Sequence, residues 1–181
     1  MPSGSTCPAA RPGLSAYADM WRQRQLEGRV PWMVRLRAPV AGREAGAVVG
    51  TSSYLNASVP DSRLEIGATA FTPAVWGSGV NTDAKLQLLA YAFDEIGAGQ
   101  VQFVTDVRNR RSQLAIARLS ARYEGTLRRY QKRTDGTVRD SVLFSVIAEE
   151  WPVVREGLLE RLRSAPMASV ARAGETTNAS K

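Results

Sequence analysis

Phe71-Thr-Pro-Ala-Val-Trp-Gly-Ser-Gly-Val-Asn-Thr82 joins two elements of opposite periodicity. Before it, Ser62-Arg-Leu-Glu-Ile-Gly-Ala-Thr-Ala-Phe71 reads as a strand, with Leu64, Ile66, Ala68 and Ala70 on one face and Glu65, Gly67, Thr69 and Phe71 on the other. After it, Leu86, Leu89, Phe93 and Ile96 recur at helical spacing up to the stop at Gly97, predicting a helix over 82–96. The join turns on Gly77 and Gly79, so it presents backbone N–H groups at a helix start, where the helix dipole favours an anion. A second mouth of the same kind follows: the strand Gln100-Val-Gln-Phe-Val-Thr-Asp106 runs into Asn109-Arg-Arg-Ser112, which opens a helix. Two such mouths side by side predict a phosphate-bearing ligand.

Further strands are expected over 30–37, 45–55, 122–132 and 138–147, and further helices over 15–27, 110–119 and 149–163. Ala41-Gly-Arg-Glu44 and Thr134-Asp-Gly-Thr137 supply the hairpin turns. In the first helix Tyr17, Met20, Trp21 and Leu26 are the expected buried residues. Strands interrupted by helices that each follow a strand give a mixed α/β sheet, with the ligand at the carboxyl ends of its strands.

A chain of 181 residues is expected to form one domain with its own core. That domain is placed at 15–163, between a disordered Pro/Ser/Ala-rich leader, 1–14, and a disordered Ala/Ser/Thr-rich tail, 164–181. Histidine is absent, which excludes histidine-based catalysis and histidine metal ligation, and no metal is expected. The single cysteine, Cys7, has no partner for a disulfide, so a reducing compartment is the default. No apolar run is long enough to cross a bilayer, and the expected location is the cytoplasm. The excess of arginine over lysine and the many alanines fit a GC-rich bacterial gene.

A net charge of +7 raises the possibility of a nucleic-acid partner. The pattern speaks against it as the main function: Arg108, Arg110 and Arg111 sit beside the second mouth, and Arg128, Arg129, Lys132 and Arg133 follow one strand without interleaved stacking aromatics. A solvated face is the plain account of these charges; attraction of a polyanionic cofactor or an acidic substrate is the sharper one. A Rossmann fingerprint fails because Thr82 stands where its third glycine belongs, and a P-loop fails for want of Gly-Lys-Ser/Thr. What survives is a pyrophosphate held by the amides of residues 77–82.

In order along the chain stand Val49-Gly50, Leu64-Glu-Ile-Gly67, Thr72-Pro-Ala-Val-Trp-Gly-Ser-Gly79, Thr105-Asp-Val-Arg-Asn-Arg-Arg-Ser112, Glu124-Gly-Thr-Leu-Arg128, Asp135-Gly-Thr-Val-Arg-Asp140 and Glu150-Trp-Pro152. Together they make residues 50–151 resemble the GCN5-related N-acetyltransferase superfamily, in its RimJ/RimL-like branch. The resemblance implies a mixed, mostly antiparallel sheet whose one parallel pair, here 62–72 and 100–106, is splayed into a wedge for acetyl-coenzyme A. It implies contacts to that co-substrate from Phe71, Thr72, Trp76, Gly77, Ser78, Gly79, Val80, Asn81, Thr82, Asn109 and Ser112. Trp76 and Asn81 depart from the family's usual loop residues, and Asn81 could double as a helix cap. Glu65 matches the family's strand glutamate and is the candidate base, acting through water; a structural carboxylate bonded to the neighbouring hairpin is the alternative.

The superfamily's usual acid, a helix tyrosine, is replaced by Ile116, leaving Ser112 as the candidate, against ordinary capping by Asn109 and Ser112. Amides around Thr69–Phe71 are the expected oxyanion site, with Gly67 suiting the strand irregularity. The implied activity is acetyl transfer to a primary amine, either a protein N-terminus or a small molecule. A non-catalytic acyl-coenzyme A binder is the alternative of a different class, and a basic nucleic-acid-binding protein a third. The resemblance also implies that the family's first strand and its helix are missing, which would leave apolar surface for a partner or a homodimer. Trp151, Leu158, Leu159 and Leu162 read as a docking face of the last helix, and Tyr54, Tyr123 and Tyr130 as residues within reach of an acceptor.

Overall fold

The computed structural model describes residues 28–133 and 135–164. The expected helix over 15–27, the leader and the tail beyond Ser164 lie outside the described residues. Six strands form one sheet in the order β1-β2-β3-β4-β6-β5. They are β1 (Val30–Arg35), β2 (Val48–Ser58), β3 (Arg63–Phe71), β4 (Gln100–Asp106), β5 (Arg122–Lys132) and β6 (Val138–Ile147). Neighbours are antiparallel except β3 and β4. Three helices complete the described fold: α1 (Val80–Ala90), α2 (Arg110–Ala117) and α3 (Trp151–Ser164).

Alternation along the central strands decides which way the sheet is covered. Leu64 and Ile66 of β3, Val101 and Phe103 of β4, and Val142, Phe144 and Val146 of β6 are buried in one core with Leu88 and Leu89 of α1, Ile116 of α2 and Val154 and Leu158 of α3. Across the other face runs a polar row, Glu65 opposite Gln102 and Gln102 opposite Ser145. A smaller cluster of Leu36, Val49 and Val75, with Phe71 and Val80 packed on it, anchors the loop between β3 and α1.

Two irregularities redirect side chains that periodicity alone misplaces. Thr51 pairs with Ala70 but Ser53 pairs with Gly67, so Ala68 and Thr69 together oppose Ser52 in a bulge. Ala68, at φ 47°, is the residue in the left-handed region. The bulge alters the alternation: Thr69, expected opposite Leu64 and Ile66, turns its hydroxyl to Lys85 on the helix side, though the residue is exposed like Ala68 and Ala70. The irregularity thus falls on Ala68 rather than Gly67, whose missing Cβ has another use. A Cβ there would come within 2.7 Å of Leu55 and 2.9 Å of the Glu65 carboxylate.

The second irregularity ends α1. The helix passes into a single π-helical turn, Tyr91–Glu95, before Gly97 at φ 74°. The wider turn shifts the phase, so Ile96, expected inside, is 51% exposed, whereas Leu89 and Ala92 are fully buried. Tyr54, expected near an acceptor, is core: it is buried and donates to the Leu88 carbonyl at 2.6 Å. Trp151 and Leu158 are buried too, Trp151 donating from Nε1 to Asp94 Oδ1 at 2.9 Å, which bears out a docking face for the last helix. Tyr123 and Tyr130 remain exposed.

Candidate active site

The parallel pair sets the site. β3 and β4 are in register only at Arg63–Gln100, Leu64–Val101 and Glu65–Gln102, and β3 then runs six residues further to Phe71 with no partner on that side. Beyond Glu65 the backbone groups along this edge are released from the ladder, and a strand's unpaired N–H and C=O groups demand other partners.

The opening leads to the loop before α1. A short 3-10 turn, Pro73–Val75, is pinned by buried Val75, and Trp76 Nε1 donates back to the Phe71 carbonyl at 3.2 Å. Gly77 at φ 77° and Gly79 at φ 81° hold left-handed conformations that residues with a Cβ adopt only at a cost. Gly79 is the N-cap of α1, and no side chain caps the helix; Asn81, expected to double as a cap, lies inside the first turn and makes no such bond. The first intrahelical bond runs from the Asp83 amide to Gly79, so among the described residues the amides of Val80, Asn81 and Thr82 take no acceptor. The buried Thr72 Oγ1 is likewise without a partner among the described residues. Released amides at a helix start, with an orphaned buried hydroxyl in the same strand-to-helix loop, suit a phosphate-bearing ligand.

The second mouth faces the first. Asn109 caps α2 by accepting the Ser112 amide at 3.0 Å, so its side-chain oxygen serves the helix. Arg111, next along, lies over the Trp76 ring, its guanidinium carbon 3.7 Å from the ring centre, which ties the two mouths together. Ser112 is half-buried, and its hydroxyl has no bond among the described residues. Ile116, at the position of the family's tyrosine, is buried in the core. Arg133 of the β5–β6 turn pairs with Asp106 at the end of β4, Nε to Oδ2 at 2.8 Å, holding that carboxyl low, at about 2. One arginine of the basic group is thereby structural.

Glu65 sits where the two strands part. It is 6% exposed, its Oε2 accepts from Asn56 Nδ2 at 2.8 Å, and Oε1 lies beside Gly67, with no hydrogen bond among the described residues. Burial pushes its pKa up, against the lowering by the Asn56 hydrogen bond and the Arg139 charge.

Sequence reasoning missed Lys85. This α1 residue is 5% exposed, and its Nζ donates to Ser52 Oγ at 2.9 Å and to Thr69 Oγ1 at 2.6 Å, with the Phe103 ring centre 6.0 Å away. Burial lowers its pKa to about 7. The signal was there: Lys85, Leu88, Leu89 and Ala92 occupy one helical stripe, with a lysine at an otherwise apolar position.

A sheet opened at one parallel pair, with an amide-lined helix start at the opening, defines the class of acyl-coenzyme A N-acyltransferase folds. The family model for the acetyltransferase (GNAT) domain matches residues 5–122, and the chain belongs to that family. The N-acetyltransferase p20 of Bacillus licheniformis, itself uncharacterized, is 27% identical over 115 residues, which are 64% of this chain and 64% of that one. The chain therefore spans less than two thirds of that relative's length. A protein of T. thermophilus described as an acetyltransferase is 37% identical in its crystal structure, with a TM-score of 0.68 over 80% of this chain and 72% of its own. RimJ of Mycobacterium smegmatis, solved in complex with CoA-disulfide, is 22% identical, with a TM-score of 0.66 over 81% of this chain and 68% of its own, a likeness of fold.

Among the described residues no helix is long and apolar enough to cross a membrane.

Proposed function

We propose that this protein transfers the acetyl group of acetyl-coenzyme A directly to a primary amine. The observation that carries the reading is the parting of β3 from β4 beyond Glu65, with a buried carboxylate at the fork and released amides at the far end of the opening. Acetyl-coenzyme A supplies an activated thioester and a pyrophosphate. The amides of Val80, Asn81 and Thr82 and the Thr72 hydroxyl hold the phosphate end, with Phe71, Trp76, Gly77, Ser78 and Gly79 shaping the loop and the Ser78 amide taken by the Val75 carbonyl, while Ser112 and Asn109 line the second mouth. The RimJ relative, solved with CoA-disulfide, supports coenzyme A as the kind of ligand this fold takes.

Amine acylation forms a C–N bond and breaks a C–S bond, so the acceptor nitrogen must give up a proton and the departing thiolate must gain one. Glu65 takes the first, directly or through one water; its raised pKa makes it a stronger base than an exposed carboxylate. Ser112 relays the second, passing its hydroxyl proton to the sulfur as it takes one from water. Those β3 amides around Thr69–Phe71 that point away from β2, into the opening, donate to the oxygen on which negative charge develops. An α-amino acceptor, with a pKa of about 8, needs only modest help from such a base, which favours a protein N-terminus or a comparable small amine.

The test is a screen of peptide N-termini and small amines by thiol release, comparing the wild type with Glu65→Gln. Turnover lost in the variant, with acetyl-coenzyme A affinity kept, supports the reading. Binding without turnover on any amine, and no effect of Glu65→Gln, would make the protein a non-catalytic acyl-coenzyme A binder.

A further inference from the structure

The bulge in β3 is strained, and something has to hold it. Ala68 is a non-glycine residue at φ 47°, and its backbone has lost β4 as a partner, so neither local preference nor the ladder on that side fixes its conformation. What does reach both sides of it is polar. Ser52 Oγ lies 2.9 Å from Thr69 Oγ1 and 3.5 Å from the Gly67 carbonyl oxygen, and Lys85 Nζ closes the triangle on both hydroxyls. Lys85 and Ser52 are buried on the helix side of the sheet, next to Phe103, while Thr69, an exposed residue, turns its hydroxyl in to them.

A lysine is an expensive way to fill such a space. Leucine or methionine would pack there without desolvating an amine, and a buried cation is tolerated only with partners. The amine's two bonds use hydroxyls from two adjacent strands, one on each side of the bulge's pairing. A neutral amine has two N–H donors, and both acceptors are present, so the triangle is complete in that state. Burial favours it, since desolvation is the cause that lowers the Lys85 pKa.

We propose that Lys85 is a positioning residue for acyl transfer, fixing through Thr69 and Ser52 the β3 bulge at Ala68 and with it the edge of β3 that faces the opening towards β4. The proposal rests on the acetyltransferase reading for its catalytic consequence, but its geometric content does not. Lys85 touches neither the reacting atoms nor the acceptor; it acts through the backbone conformation of residues 68–70. Small displacements of groups that face a reacting centre are costly to rate, so the effect belongs in kcat rather than in cofactor affinity.

The experiment uses three variants of the full chain: Lys85→Met, Thr69→Val, which keeps the branched shape and removes the hydroxyl, and Thr69→Ser, which keeps the hydroxyl. Hydrogen exchange at the amides that bond β3 to β2 around the bulge, Thr72 on the Val49 carbonyl among them, is read first, without any substrate. Lys85→Met and Thr69→Val should speed exchange there by about tenfold or more, with Thr69→Ser close to wild type and amides of β6 unchanged. With an amine acceptor in hand, the same two variants should lose about tenfold in kcat while KM for acetyl-coenzyme A stays within about twofold, and Thr69→Ser should recover most of the rate.

Unchanged exchange at those bonded amides in folded Lys85→Met or Thr69→Val overturns the proposal, as does a loss confined to thermal stability or to KM. If Lys85→Met does not fold, the Thr69→Val and Thr69→Ser pair decides. Failure of the wild type to bind acetyl-coenzyme A, with exchange altered as expected, would sink the acetyltransferase reading and leave the positioning of the bulge standing.

Discussion

Strand β4 is joined on its two sides in opposite ways. Towards β6 it pairs without interruption from Gln100–Ile147 to Asp106–Ser141; towards β3 it pairs at three positions and is then let go. The closed side carries Val101, Phe103, Val142, Phe144 and Val146 in the core, and it ends on the Asp106–Arg133 pair. The open side carries a bulge, a buried lysine, a buried glutamate and an orphaned threonine hydroxyl. Stability is concentrated where the ladder is complete, and unmet chemical demand where it is broken. A functional opening in a sheet needs a rigid strand as one of its walls, and β4 gets its rigidity from β6.

The comparison makes the two sides respond differently to substitution. The largest expected effect is on the open side: Glu65→Gln should lower kcat by about 10²–10⁴-fold, the usual range for a general base, with acetyl-coenzyme A affinity unchanged by calorimetry. In the wild type kcat/KM should fall on the acid limb with a midpoint above the ordinary carboxylate range, because burial raises the Glu65 pKa. Full activity of Glu65→Gln would leave the carboxylate a purely structural partner of Asn56. On the core side, Leu89→Ala at a fully buried position should cost about 2–5 kcal/mol in denaturant unfolding, with acetyl-coenzyme A affinity kept wherever the protein is folded. Loss of affinity in proportion to stability would erase the distinction between the two regions.

Gly77→Val comes next. Forcing a branched residue to φ 77° costs about 1–2 kcal/mol even for an unbranched side chain, and the loop is expected to shift rather than bear it. Acetyl-coenzyme A affinity should drop about tenfold, which corresponds to about 1.4 kcal/mol, while the melting temperature changes little.

The smallest effect is a slope. Lys85 titrates at about 7 in the folded chain and at 10.5 when released, so between those values the unfolded chain binds the extra proton. Stability should therefore rise with pH across that window and be lost as pH falls through it. Ser52, Thr69 and Phe103 face the amine, and burial is the cause of the shift, so Lys85→Met should flatten the slope. Readings below pH 10 avoid Tyr54, whose hydroxyl is pushed up by burial and by Tyr91 and acts in the opposite sense. A slope identical in wild type and Lys85→Met would mean that the lysine is solvated.

Much of the closed side was legible in the residues. Gln100–Asp106, Arg122–Lys132 and Val138–Ile147 begin and end where alternation and turn residues place them, because each is held by an antiparallel partner in this half of the sheet. The loop glycines and the start of the helix after them were legible for a local reason, the backbone conformations that Gly77 and Gly79 permit. The bulge was not, since it depends on Ser52 of a different strand, and nothing in Gly-Ala-Thr-Ala announces which residue will turn left-handed. The π-helical turn escaped for the same reason, and with it the exposure of Ile96. Glu65 was recognised by its place in a strand motif, but its partner Asn56 and its burial come from pairing and packing. Lys85 was passed over because a charged residue is read as solvent-facing even when Leu88 and Leu89, its neighbours on the next turn, are buried.

The most direct test of the account is calorimetric titration of the folded chain with acetyl-coenzyme A at moderate salt, beside Gly77→Val. The account predicts saturable one-site binding by the wild type, weakened about tenfold by the substitution. No saturable binding by demonstrably folded wild-type protein would contradict it.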